Sequence, residues 1–160
     1  MTADDRAGPG REAPAEAYRE AFPLPFDRLP LRRTPNQHLA LPPGFASTAA
    51  PHGSSPIFDV GVERLAAAWR AVVAERPRVT LRRSDGASRQ FEYVARSRVL
   101  RLPDVVTVQL VPLAPDRSSL AVYSRARYGA FDFGVNRRRV EAWLARLAEL
   151  LADASHRGAG

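Results

Sequence analysis

With 160 residues, 45% of them apolar and 26% charged, the chain is long enough for one domain with a core of ordinary size. Its net charge is +7 and, histidines aside, every basic side chain is arginine, a permanently charged planar fork suited to carboxylates and phosphates. The absence of cysteine excludes disulfides, thiolate nucleophiles and cysteine metal sites, and no apolar run approaches the ~18 residues of a membrane-spanning helix.

Residues 1–35 read as a disordered Pro/Arg-rich leader, because prolines 9, 14, 23, 25, 30 and 35 each remove a backbone donor and fix φ. Within it, a short helix over 15–21 and docking of Phe22, Leu24, Phe26, Leu29 and Leu31 onto a groove are expected. The first thirty residues lack the apolar core of a secretory signal, which makes the cytoplasm the default expectation. A single α+β domain is expected over 36–152, followed by a flexible tail over 153–160.

Residues 42–58, punctuated by Pro42-Pro43-Gly44 and by Pro51 and Pro56, read as irregular. A first helix follows: Asp59 or a neighbour caps it, Val62, Leu65, Ala66, Trp69, Val72 and Val73 recur at helical spacing, and Pro77 stops it. Four strands come next, over 78–83, 89–99, 105–111 and 118–127, with Asp85-Gly86 marking the first hairpin turn. The last helix, over 137–152, turns Val140, Leu144, Leu147 and Leu151 inward with Trp143 alongside. Helix, four-strand meander, helix predicts an antiparallel sheet of four or more strands with both helices packed on one face.

Side chains alternate along a strand, so parity predicts which face each one joins. Val79, Leu81, Phe91, Tyr93, Ala95, Val106, Val108, Leu110, Leu120 and Val122 belong under the helices. Thr80, Arg82, Glu92, Arg96, Arg98, Thr107, Gln109, Tyr123, Arg125 and Arg127 should face solvent or a ligand, and a single bulge reverses the parity beyond it.

Ala95-Arg-Ser-Arg98, Pro103-Asp104-Val105, Tyr123-Ser-Arg-Ala-Arg127 and Phe131-Asp-Phe-Gly-Val-Asn-Arg-Arg-Arg-Val140 together resemble the family catalogued as domain of unknown function 1499, over about residues 36–150. That family occurs in bacteria and in plants, and the resemblance implies no particular reaction. Its members often carry a cysteine after the asparagine of an early Pro-Asn motif, where this chain has Gln37 after Pro35-Asn36. Many members also have an export or membrane-anchoring N-terminus, which the sequence does not suggest here.

For function, Arg96, Arg98, Arg125 and Arg127 are the candidate ligand-binding residues: clustered like charges repel unless an anion or carboxylates sit among them. The expected partner is an anionic small molecule or an acidic protein segment. In the strand-to-helix loop, Gly129 and Gly134 permit unusual backbone angles, Asn136 is placed as N-cap, and Asp132 offsets three arginines that oppose the helix dipole. Asp132, Gly134 and Asn136 are thus expected to be structural, with Phe131 and Phe133 as core plugs beneath the loop. No nucleophile–base–orienter spacing stands out and the three histidines lack metal-ligand spacing, so neither metal nor cofactor is expected. A non-catalytic binding domain is the primary reading. The alternatives are an enzyme using the same pocket, with His38 or Asp132 as acid–base group, and sequence-independent nucleic-acid binding, for which no motif is present.

Overall fold

The computed structural model describes residues 21–157; most of the short helix expected over 15–21, and the outer parts of the expected leader and tail, lie outside the described residues. The expected meander is present as β3 (Val79–Asp85), β4 (Gln90–Arg96), β5 (Pro103–Ala114) and β6 (Arg117–Ala126), every neighbouring pair antiparallel. Two short strands extend it: β1 (Gln37–Leu41) runs antiparallel to β6, and β2 (Gly53–Ser54) runs parallel to β1. The result is an open, mixed and mostly antiparallel sheet of six strands in the order β2-β1-β6-β5-β4-β3.

Helices α1 (Val62–Ala74) and α2 (Val135–Arg157) cover one face of that sheet. Leu65, Trp69 and Val72 of α1 meet Val140, Trp143, Leu144 and Leu147 of α2 over Tyr93, Val106, Val108, Leu120 and Val122. Each such side chain contributes about 1.5–3 kcal/mol when fully removed from water. Trp69 sits at the centre: its ring lies 5.8 Å from that of Trp143, and its Nε1–H donates to the Tyr93 hydroxyl at 3.1 Å. No aspartate side chain caps α1. The N-cap is Gly61, without a side-chain hydrogen bond, because a Cβ there would come within 2.7 Å of the Pro115 carbonyl. Asp59 instead lies 3.6 Å from Arg117.

The parity expectation fails at Leu81, which is 56% exposed and not under the helices, and across the second face of the sheet. Glu92, Thr107, Tyr123 and Arg125 have the expected alternation but are buried, because residues 22–31 lie across them as a strap. Leu24, Phe26 and Leu29 of the strap pack with Leu39, Leu41, Ala121 and Tyr123 in a second apolar cluster. The anchor is a side-chain amide: Gln90 accepts from the Leu24 N–H and donates to the Leu24 carbonyl, both at 2.7 Å. Gln37 secures the other end, donating to the Arg32 carbonyl at 2.6 Å and accepting from the Tyr123 hydroxyl at 2.6 Å. A bulge between Leu81 and Arg83 shifts the β3 register, so Arg82 and Arg83 both reach Glu92, at 3.3 and 2.8 Å.

Candidate functional site

At one end of the sheet, the α1–β3 turn, the β4–β5 loop and the β6–α2 loop come together. The β6–α2 loop is built around Asp132. Its carboxylate accepts from the Gly134 N–H at 2.9 Å, the Asn136 N–H at 3.0 Å and the Asn136 side-chain amide at 2.7 Å. Burial pushes the Asp132 pKa up, but these hydrogen bonds from Asn136 and Gly134 outweigh it and hold the carboxyl below its usual range. The capping group is therefore Asp132, and Asn136, expected at the N-cap, lies inside the helix. Fully buried, Asn136 accepts from Ser124 at 2.6 Å and from Arg139 at 2.9 Å, while its amide also donates to the Asn36 carbonyl at 3.3 Å. Gly129 and Gly134, with φ of +80° and +76°, occupy the left-handed region that glycine tolerates best.

Beside this loop, α1, β4 and α2 enclose an open pocket of about 510 Å³ lined by six arginines: Arg76, Arg78, Arg96, Arg98, Arg138 and Arg139. The carboxylate in its lining, Glu75, and the one that borders it, Asp104, are already engaged. Glu75 is held by Arg146 at 2.9 Å, and Asp104 meets Arg139 at 2.7 Å. Burial raises the Asp104 pKa by more than the neighbouring Arg139 lowers it. Arg96 donates to the Arg101 carbonyl and Arg138 to the Phe133 carbonyl, contacts that position a guanidinium without neutralising it. The buried Nε of Arg76 lacks a hydrogen-bond partner among the described residues.

The four arginines read from the sequence do not share one place. Arg96 and Arg98 line this pocket. Arg125 is buried beneath the strap, 3.5 Å from Glu92, and the Arg127 guanidinium lies over the Tyr128 ring at 5.9 Å. Arg76, Arg78, Arg138 and Arg139 went unread as partners of the sheet arginines. The available signal was Arg76-Pro77-Arg78, where proline ends a helix and leaves both arginines at the sheet's edge, together with the Arg137-Arg138-Arg139 run.

A second pocket, of about 500 Å³, lies on the other side of Asp132 and is lined by His38, His52, Gln37 and Arg137 among others. The two imidazoles are 5.5 Å apart. His52 Nδ1 accepts the Leu39 N–H at 2.9 Å, which puts the proton of the neutral ring on Nε2. Burial lowers both pKa values, and for His38 the neighbouring His52 and Arg137 lower it further, against Glu141 and Asp132. Both rings are thus neutral near pH 7. No three metal-ligating side chains converge among the described residues. Phe131 and Phe133, expected as core plugs, are instead 74% and 91% exposed, because the Asp132 cap closes the loop without their help.

No helix of the described residues is long and apolar enough to cross a membrane. No curated protein matches the chain. A family model described as protein of unknown function DUF1499 matches residues 36–147, a span running from the start of β1 into α2 and holding the Asp132 loop, the arginine pocket and every lining residue of the histidine pocket but Pro35. The chain therefore belongs to the DUF1499 family.

Proposed function

We propose that the protein is a non-catalytic binding domain whose arginine pocket holds a small molecule carrying two or more phosphate or carboxylate groups. The observation that carries this reading is the convergence of six arginines on about 510 Å³, of which Arg139 is paired with Asp104, while the lining carboxylate Glu75 is taken by Arg146 from outside the pocket. Guanidinium groups gathered in this way repel one another, and an anion bound by charge-assisted, bidentate hydrogen bonds relieves that repulsion. The expected site residues Arg96 and Arg98 are retained, joined by Arg76, Arg78, Arg138 and Arg139, while Arg125 and Arg127 serve elsewhere. An acidic protein segment would be recognised by the same chemistry.

Calorimetry and thermal shift with pyrophosphate and citrate test this. Binding of either anion should raise the Tm, and Arg98→Ala/Arg138→Ala should weaken it by about tenfold or more per arginine, on the ~1.5–3 kcal/mol of a charged hydrogen bond. No shift with any polyanion, or an equal shift in the double variant, would sink the reading. A second reading, acid–base catalysis at the other pocket, is favoured by the neutral His38–His52 pair. There His38 is the candidate base, because the Asp132 carboxylate is committed to three hydrogen bonds. That reading requires turnover which disappears in His38→Gln while the fold persists.

A further inference from the structure

The β4–β5 loop, residues 97–102, and the β6–α2 loop, residues 127–134, form a tip at the end of the sheet, and its apolar side chains have no cover among the described residues. Val99 is 85% exposed and Leu100 73%, alongside Phe131 at 74% and Phe133 at 91%. The two loops are joined at their base, where the Arg127 N–H donates to the Pro103 carbonyl at 3.2 Å, and a hollow of about 480 Å³ lies between them. Isolated surface leucines need no explanation, but four large apolar side chains on two adjoining loops do.

The backbone adds a second, independent observation. Arg101 and Phe133, one on each loop, occupy the left-handed region with φ of 55° and 52°. A glycine would relax either position. Phe133 contributes almost no packing to the fold in return, and strain held without a folding benefit marks a functional surface.

Charge identifies the occupant. Arg98, Arg101 and Arg127 belong to the two loops, and Arg138 reaches the tip through the Phe133 carbonyl at 2.8 Å. The loops carry one carboxylate, Asp132, and that is turned inward onto its own backbone. Val99, Leu100, Phe131 and Phe133 line that hollow and yet each keeps 73% or more of its surface exposed, so its walls stand open to solvent and do not close over an enclosed ligand. Apolar crests ringed by cations match a surface with hydrocarbon below and phosphate above.

We infer that the two loops form a docking tip for an anionic lipid bilayer. Val99, Leu100, Phe131 and Phe133 enter the acyl boundary, and the surrounding arginines meet the headgroup phosphates. Arg98 lines both this tip and the arginine pocket, so the field of that pocket is continuous with the docking face. The inference stands whether or not the pocket also takes a soluble anion.

Co-sedimentation of the full chain with two kinds of vesicle tests it: phosphatidylcholine alone, and phosphatidylcholine with an equal amount of phosphatidylglycerol. The protein should pellet with the mixed vesicles and stay in solution with the neutral ones. Leu100→Ser/Phe133→Ser should lower the partition constant by at least about tenfold, and each of Arg98→Gln and Arg101→Gln by about fivefold. Leu113→Ser, an exposed leucine on β5 outside the tip, should leave it unchanged. All the substituted side chains are exposed, and matching circular-dichroism melts would show that the variants fold. Because the chain has no cysteine, Phe133→Cys carries one environment-sensitive dye, whose emission should shift blue with mixed vesicles only. Absence of pelleting, equal pelleting with both vesicle types, or unchanged partition in Leu100→Ser/Phe133→Ser overturns the inference. So does a concentration-dependent dimer that this double substitution abolishes, which would assign the tip to self-association.

Discussion

Arg125 of β6 and Glu92 of β4 meet across Thr107 of the intervening strand. The guanidinium Nη2 lies 3.5 Å from the carboxylate, and Nη1 donates to the Thr107 hydroxyl at 3.0 Å. Arg82 and Arg83 approach the same carboxylate from β3. Burial lowers the Arg125 pKa, and the nearby Tyr123 and Glu92 work against that shift. This is a charged cluster inside the protein, closed over by the strap.

Arg125→Ala should therefore destabilise by about 1–3 kcal/mol in urea denaturation, because it leaves the buried Thr107 hydroxyl without its Arg125 donor and Glu92 with Arg82 and Arg83 alone. Arg98→Ala, at an exposed position in the arginine pocket, should stay within about 0.5 kcal/mol. Equal effects would mean that Arg125 is not structural.

Asp132→Asn places an amide where two oxygens now accept three N–H groups. An amide has one acceptor oxygen, so at least one donor from Gly134 or Asn136 is left unmet, at about 1–3 kcal/mol. Amide hydrogen exchange should accelerate first in the opening turn of α2, before the helix end near Leu151. Unchanged protection there would contradict the capping role.

Acid should weaken the fold in two steps. His38 and His52 have folded pKa values below the ordinary 6.5, so below that pH the unfolded chain binds more protons. Stability is thus flat above about pH 7 and falls as pH drops through 6.5 toward the lower folded values. Asp132 is held below its ordinary 3.8, so its contribution is intact above that value and lost as pH falls through the folded pKa. Tm against pH should show both declines, and His38→Gln should shrink the first.

The strap makes its own prediction. Phe26→Ala should cost about 3–5 kcal/mol, as for other buried aromatics. Gln90→Ala should be costly as well, because it leaves the buried Leu24 N–H without its partner and the Leu24 carbonyl with the Phe26 N–H alone. Denaturation of both variants checks this, compared with Gln109→Ala, which removes an acceptor of the Gln90 amide but no hydrogen bond to the strap.

Local patterns made the meander and the two helices legible. Trp69, Val72, Leu144 and Leu147 recur at helical spacing, and Tyr93, Val106, Val108 and Val122 alternate as strands do. β1 and β2 left no comparable trace. β1 is short, flanked by prolines and buried throughout, so it does not alternate, and its pairing depends on β6, far away in sequence. The polar parity of Glu92, Thr107 and Arg125 was read correctly as one face but not as a covered one. Alternation tells which side chains share a face, not what lies over it. Arg96 and Arg98 reach the arginine pocket together with Arg138, but only the packing of α2 beside α1 over the sheet brings them there, and no spacing in the chain encodes that meeting.

The family match begins at residue 36, whereas the strap lies at residues 22–31, just before it. The stretch that sequence comparison delimits is therefore smaller than the unit that excludes water. A recombinant chain begun at Asn36 would keep both α-helices and all six strands and yet leave Leu39, Leu41, Ala121 and Tyr123 bare, and would hydrate the Glu92–Arg125 pair. Such a truncation should bind hydrophobic dye and aggregate, and an added peptide spanning the strap should restore its solubility. On that outcome the strap would be a detachable seal, and the edge of the homologous region would lie inside the folding unit.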